Sequence, residues 1–150
     1  MKLAEALNLR ADLRKRISQL SSRLNNNAKI QEGEHTAEDP VELMKELDDC
    51  IAQFSELVAR INKTNSETVS DGESITEMLA RKDALSIKLA AYRNFLTSAS
   101  SIVNRYSNTE IKILPSVDVK SLQKKVDKMS KEYRELDVKL QSLNWTADLL

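Results

Sequence analysis

Between Val119 and Leu143 the apolar residues Val119, Leu122, Val126, Met129, Tyr133, Leu136, Leu140 and Leu143 recur at alternating spacings of three and four. A helix with this period carries one narrow apolar seam and a wide charged flank, and it has to lay that seam against something. No other feature constrains the fold so tightly. It requires a helix of about 25 residues, and it poses the question of what covers it: the same chain, a second copy, or another molecule.

The rest of the sequence repeats the pattern. Leu3, Ala6, Arg10, Leu13, Ile17, Leu20 and Leu24 keep heptad spacing with Arg10 as the one polar intrusion, which predicts a first helix from Lys2 to Asn27. Asp39 and Pro40 announce a second: an N-cap, a proline at the first helical position, and Glu42 three residues after the cap. Leu43, Leu47, Cys50, Phe54, Leu57 and Ile61 carry its seam. Asp71-Gly72 is a tight-turn signal flanked by Val69 and Ile75, which predicts a small hairpin. Ser74 with Glu77 then opens a third helix, lined by Met78, Leu85, Leu89, Tyr92, Leu96, Ala99, Val103 and Tyr106 and interrupted by Lys82. Asp118 caps the fourth.

The expected architecture is therefore all-α: one domain over residues 1–150, with four long antiparallel helices in coiled-coil-like bundle packing and short β segments in the connections. Two glycines and two prolines in 150 residues leave too few turn residues for a sandwich or barrel. Charge supports pairing the first two helices. Met1 to Ile30 holds seven basic and two acidic residues, whereas Gln31 to Arg60 holds two basic and nine acidic. The segments Ala28–Gln31 and Glu110–Leu114 both alternate apolar with polar, so a short two-stranded ribbon between them is a further expectation.

Several function classes recede on the same reading. The formal charge is zero, so no global field draws the chain to nucleic acid or anionic lipid. The basic cluster Arg10, Arg14, Lys15 and Arg16 lacks interleaved aromatic residues and has an acidic second helix as its own partner. No apolar run approaches a membrane span, and the charged start does not read as an export signal, which points to the cytoplasm. The single cysteine, Cys50, on an apolar face reads as a buried thiol. His35, the one histidine, has Glu32, Glu34, Glu38 and Asp39 near it, but zinc sites want several His or Cys ligands, so no metal and no cofactor are expected.

Two readings of function follow. The first is a non-enzymatic, self-associating structural or adaptor protein, because a two-in-seven seam is narrower than the face usual inside a closed single-chain bundle. Its candidate interaction surface gathers Arg105, Tyr106, Glu110, Lys112, Asn144 and Trp145, with Trp145 either a lid over the bundle's end or an anchor for a partner. The second is a small enzyme or metal-binding protein whose site draws together Glu34, His35, Arg105, Tyr106 and Glu110. A nucleic-acid-binding adaptor is third.

The stretches "RADLRKRI", "AEDPVEL", "RINKTN", "ARKDAL", "RYSNTEIK" and "LQKKVDKMSKEYRELDVKLQSLNWTADL" resemble an uncharacterised bacterial family whose members are often labelled septicolysin. That likeness runs almost end to end. The label implies a cytolysin, whereas a secreted pore former needs an export signal and a segment able to satisfy its backbone in lipid. The likeness thus implies a bacterial cytoplasmic protein and carries no activity with it.

Overall fold

The computed structural model describes residues 1–101 and 111–150. Four α-helices account for most of them: α1 (Leu3–Asn26), α2 (Pro40–Glu67), α3 (Ile75–Ser100) and α4 (Val119–Thr146). Two short strands, β1 (Val69–Ser70) and β2 (Glu73–Ser74), lie between α2 and α3. The described residues fall into two compact units, Met1–Thr76 with Gln141–Leu150, and Glu77–Leu140.

The first unit is built on the α1–α2 pair. Leu20 meets Leu43 and Cys50 in a buried cluster, with Ile17, Leu24 and Leu47 packed around it. Fully burying a leucine contributes about 1.5–3 kcal/mol, far more than any exposed ion pair in the unit. Charge nevertheless sets the register. Arg16 donates to Glu46 at 2.6 Å, and Arg23, further along α1, pairs with Glu38, which lies earlier in the chain. The two partners run in opposite senses, so α1 and α2 are antiparallel, joined through the complementary charges read in the sequence.

Local chemistry explains where the elements begin and end. Asp39 accepts from the Val41 amide at 2.9 Å, and Pro40 occupies the first helical position, where its missing N–H has no partner to lose. Asp118 accepts from the amides of Lys120 and Ser121 at 3.1 and 3.4 Å and from the Ser121 hydroxyl at 2.8 Å, which starts α4. The expected hairpin forms: Val69 pairs with Ser74 and Ser70 with Glu73. Its turn holds Asp71 at φ +55° and Gly72 at φ +82°, the left-handed pair that a two-residue turn demands.

The α1–α2 connection is tied down by a residue the sequence reading treated as part of a break. Asn27 is buried; its amide group donates to the Arg23 carbonyl at 2.8 Å while its carbonyl oxygen accepts from the Glu38 amide at 3.0 Å. One side chain thus closes the end of α1 and anchors the approach to α2. The expected ribbon between Ala28–Gln31 and Glu110–Leu114 is a correction: Ala28–Gln31 and Ile111–Leu114 carry no strand, and Glu110 lies outside the described residues. Alternation over so few residues could not outweigh the loop geometry that Asn27 imposes. Val103 and Tyr106, expected on the third helix, also lie outside the described residues.

The second unit pairs α3 with α4. Leu89, Val126 and Met129 are buried together, and Leu85, Tyr92, Leu96 and Tyr133 pack against them half-covered. All four partly covered residues belong to the expected seams, which are buried at Met78, Leu122, Leu136 and Leu140 as well.

Replacing Asn27 by alanine should lower stability by about 1–3 kcal/mol, since it leaves the half-buried Glu38 amide without its acceptor. The exposed neighbour substitution N25A should stay within about 0.5 kcal/mol. Urea titration of both variants followed by circular dichroism checks the difference.

Candidate interaction surfaces

The polar groups of the second unit converge along one flank of the α3–α4 seam. Lys82, the polar interruption in the α3 pattern, is only 23% exposed and pairs with Asp137. Its ammonium also lies 5.5 Å from the centre of the Tyr133 ring. The hydrogen bond to Asp137 holds the Lys82 ammonium above its usual range, so the intruding cation is fully paired. Further along α3, Arg93 donates to the Ser130 hydroxyl at 3.0 Å, and Ser130 donates onward to the Val126 carbonyl at 2.9 Å. Between these anchors lies an open groove of about 370 Å³ lined by Ser86, Leu89, Ala90, Arg93, Ser130, Tyr133 and Arg134. On the opposite flank, the Tyr92 ring sits 4.8 Å from the Lys125 ammonium and 5.9 Å from that of Lys88. The bond to Lys125 draws the Tyr92 phenol below its ordinary range.

In the first unit the segment Ala147–Leu150 runs antiparallel to Met1–Leu3. The Leu3 amide donates to the Ala147 carbonyl at 3.0 Å and the Leu149 amide to the Met1 carbonyl at 2.9 Å. Lys2 reaches Asp148 at 2.7 Å and the Thr146 carbonyl at 3.0 Å. Leu150 donates its amide to the fully buried Thr64 hydroxyl at 3.0 Å, and its carbonyl accepts from Arg60 at 2.9 Å. These contacts satisfy one of the backbone donors that the start of α1 leaves open. Nothing in the hydrophobic pattern announces them, because "ADLL" is too short to show a period.

The residues singled out from the sequence are scattered by comparison. Glu34 and His35 sit exposed on the α1–α2 connection. Arg105, Tyr106 and Glu110 lie outside the described residues, while Lys112 is exposed in the coil before α4. Asn144 is half-buried in the last turn of α4, and Trp145 beside it is 61% exposed, too open for a closed lid. Among the described residues no three His, Cys, Asp or Glu side chains are grouped to hold a metal ion. Of the basic cluster on α1, Arg16 is committed to Glu46, and Cys50 is buried as expected. No helix among the described residues is long and apolar enough to cross a membrane.

The surface feature that the seam reading missed lies on the back of α3. Ala80, Ala84, Ile87, Ala91, Phe95 and Ser98 follow one another at spacings of four, three, four, four and three, and all six are exposed. Ile87 is 73% and Phe95 45% exposed. At 1.5 Å per residue the stripe runs about 27 Å without a charge, on the side of the helix away from Leu85, Leu89 and Leu96. Apolar residues thus occupy two opposite sides of α3, with Glu77, Arg81, Asp83, Lys88 and Arg93 between them, whereas α1, α2 and α4 keep a distinct polar side. An uncharged stripe of this length on a second side is surface that a partner can cover. The signal was present in the sequence, as a second heptad offset from the first.

Residues 10–149 match the model of a family described as "Family of unknown function (DUF6847)". The chain belongs to that family. A solved structure titled as a functionally unknown conserved protein from Corynebacterium diphtheriae is 41% identical, with a TM-score of 0.88, over 100% of this chain and 99% of the other. A search of curated proteins finds no match. The shared fold therefore extends over the whole of both chains, and neither comparison attaches an activity to it.

The ion pairs of the first unit set an acid limit. Arg23 holds the Glu38 carboxyl below its ordinary value of 4.5, and Lys2 holds that of Asp148 below 3.8. A lowered folded value means that each contribution is complete above the ordinary carboxylate range and is lost as pH falls through the lowered one. Stability should therefore decline on acidification below about pH 4.5 and be flat from there to neutrality as far as these two groups are concerned. The E38Q variant should show a shallower acid decline in thermal melts taken at successive pH values. An unchanged slope would mean that the Arg23–Glu38 pair contributes nothing measurable.

Proposed function

We propose that the protein is a non-enzymatic, self-associating helical structural or adaptor protein of the cytoplasm, with its four helices antiparallel in coiled-coil-like packing. The uncharged stripe on the back of α3 carries this reading. Large and small side chains alternate along it in a way that suits its own copy. In an antiparallel pair with a two-fold axis between Ile87 and Ala91, Ile87 of one chain meets Ala91 of the other, Ala84 meets Phe95, and Ala80 meets Ser98. Each bulky residue then faces a small one, the condition for close helix approach. Met44 and Ile51, exposed one heptad apart on α2, add apolar surface of the same kind.

The enzyme or metal-binding reading has less support, since Glu34 and His35 stand exposed and their three supposed companions lie outside the described residues. Nucleic-acid binding ranks third, with Arg16 already engaged by Glu46. The likeness to proteins labelled septicolysin is taken as kinship alone, and lysis forms no part of the proposal.

Light scattering on a sizing column over a concentration series should return at least twice the chain mass. The I87D variant should shift the protein to monomer with its helicity intact, because position 87 touches no intrachain core. In a Cys50→Ala background, A80C and S98C chains should form disulfides when mixed and neither should do so alone. A wild-type monomer at every concentration would remove the reading. A dimer indifferent to I87D would locate the contact elsewhere than α3.

A further inference from the structure

We propose that the α3–α4 groove is a binding site for a phosphoryl group carried by a small ligand with an apolar portion. Arg93 and Arg134 both line one hollow together with Ser86 and Ser130, the Arg93 guanidinium lies across it on Ser130, and no carboxylate is among the lining residues. Arginine is the side chain best suited to clasp an oxyanion, because its planar fork offers parallel donors.

The two arginines differ in a useful way. Arg93 is held across the groove by its bond to Ser130, which is itself anchored to the Val126 carbonyl, so part of its ordering cost is met before any ligand arrives. Arg134 has no ion pair among the described residues. Asp137, one turn along α4 from Arg134, is occupied by Lys82 and so does not neutralise the site. Two cationic residues line the groove while the neighbouring carboxylate is engaged by Lys82, so the lining carries positive charge with no counter-charge among the lining residues.

The remaining walls set the shape of the ligand. Leu89, almost fully buried, forms an apolar floor with Ala90, and Tyr133 offers a ring edge or face on which a planar group can rest. A volume of about 370 Å³ falls at the small end of ligand pockets, room for a phosphate and one ring system rather than an extended cofactor. The groove lies on the flank of α3 away from the Ala84–Phe95 stripe, so the site does not depend on self-association.

Calorimetric titration of the full chain in low-salt buffer with inorganic phosphate, with adenosine monophosphate and with acetate tests the assignment. Phosphate should bind in the millimolar range, the nucleotide more tightly, and acetate not measurably. The R134A variant should lose about tenfold or more in affinity, the weight of a charge-assisted hydrogen bond, with unchanged circular dichroism. R134K should recover only part of it, because one ammonium cannot present the fork. Equal affinity for phosphate and nucleotide would keep the oxyanion cradle and make free phosphate its occupant. No heat with either probe at millimolar concentration, or full affinity in R134A, would overturn the proposal, as would binding only to a single-stranded oligonucleotide.

Discussion

Everything in this fold follows from the width of its seams. Two apolar residues in seven give a helix one partner's worth of surface, so α1 takes α2 and α3 takes α4, and each pair closes along a single narrow line of buried residues. A broader apolar face would drive a compact, fully buried core; a narrower one would leave isolated helices, which are marginal in water at this length. Between those limits the flanks stay accessible. They carry the polar chains Lys82–Asp137 and Arg93–Ser130 on one pair and the ion pairs Arg16–Glu46 and Arg23–Glu38 on the other. Burial holds each pair together, and the charges choose which helix meets which and in what direction.

That division explains what could be read from the sequence. Periodicity and capping chemistry are local, so the four helices, the Asp39 and Asp118 caps and the Asp71-Gly72 hairpin were legible to within a few residues. The α1–α2 charge pairing was legible too, because it shows as a composition contrast between consecutive segments. Asn27 was not, since an asparagine after a helix looks the same whether it is a solvated turn residue or a buried clamp. The contacts of Ala147–Leu150 were hidden for another reason: each joins segments 86 or more residues apart and most use a backbone group, which leaves no mark on side-chain pattern.

The candidate surfaces show the same asymmetry. His35, Trp145 and the Arg105–Glu110 stretch stand out in the sequence because their residue types are rare or clustered, and rarity says nothing of convergence in space. The groove on α3–α4 uses common residues, and its arginines and serines become a group only when two helices turn them toward one hollow. The α3 stripe was overlooked for a subtler reason. Once a heptad register is assigned, the eye treats residues outside it as the solvent face, and alanine does not object to that classification.

The discontinuous make-up of the first unit has a consequence for how the chain is made. Its closing segment, Gln141–Leu150, is translated after the second unit, while the α1–α2 pair that receives it is translated before it. The second unit is contiguous and emerges whole between them. On the ribosome, α1 therefore waits with its Leu3 donor and the Thr64 hydroxyl uncapped until Ala147–Leu150 has been made. Maturation of the first unit is in effect timed by the length of everything inserted within it, and a chain stalled before Gln141 leaves that unit without its closing segment.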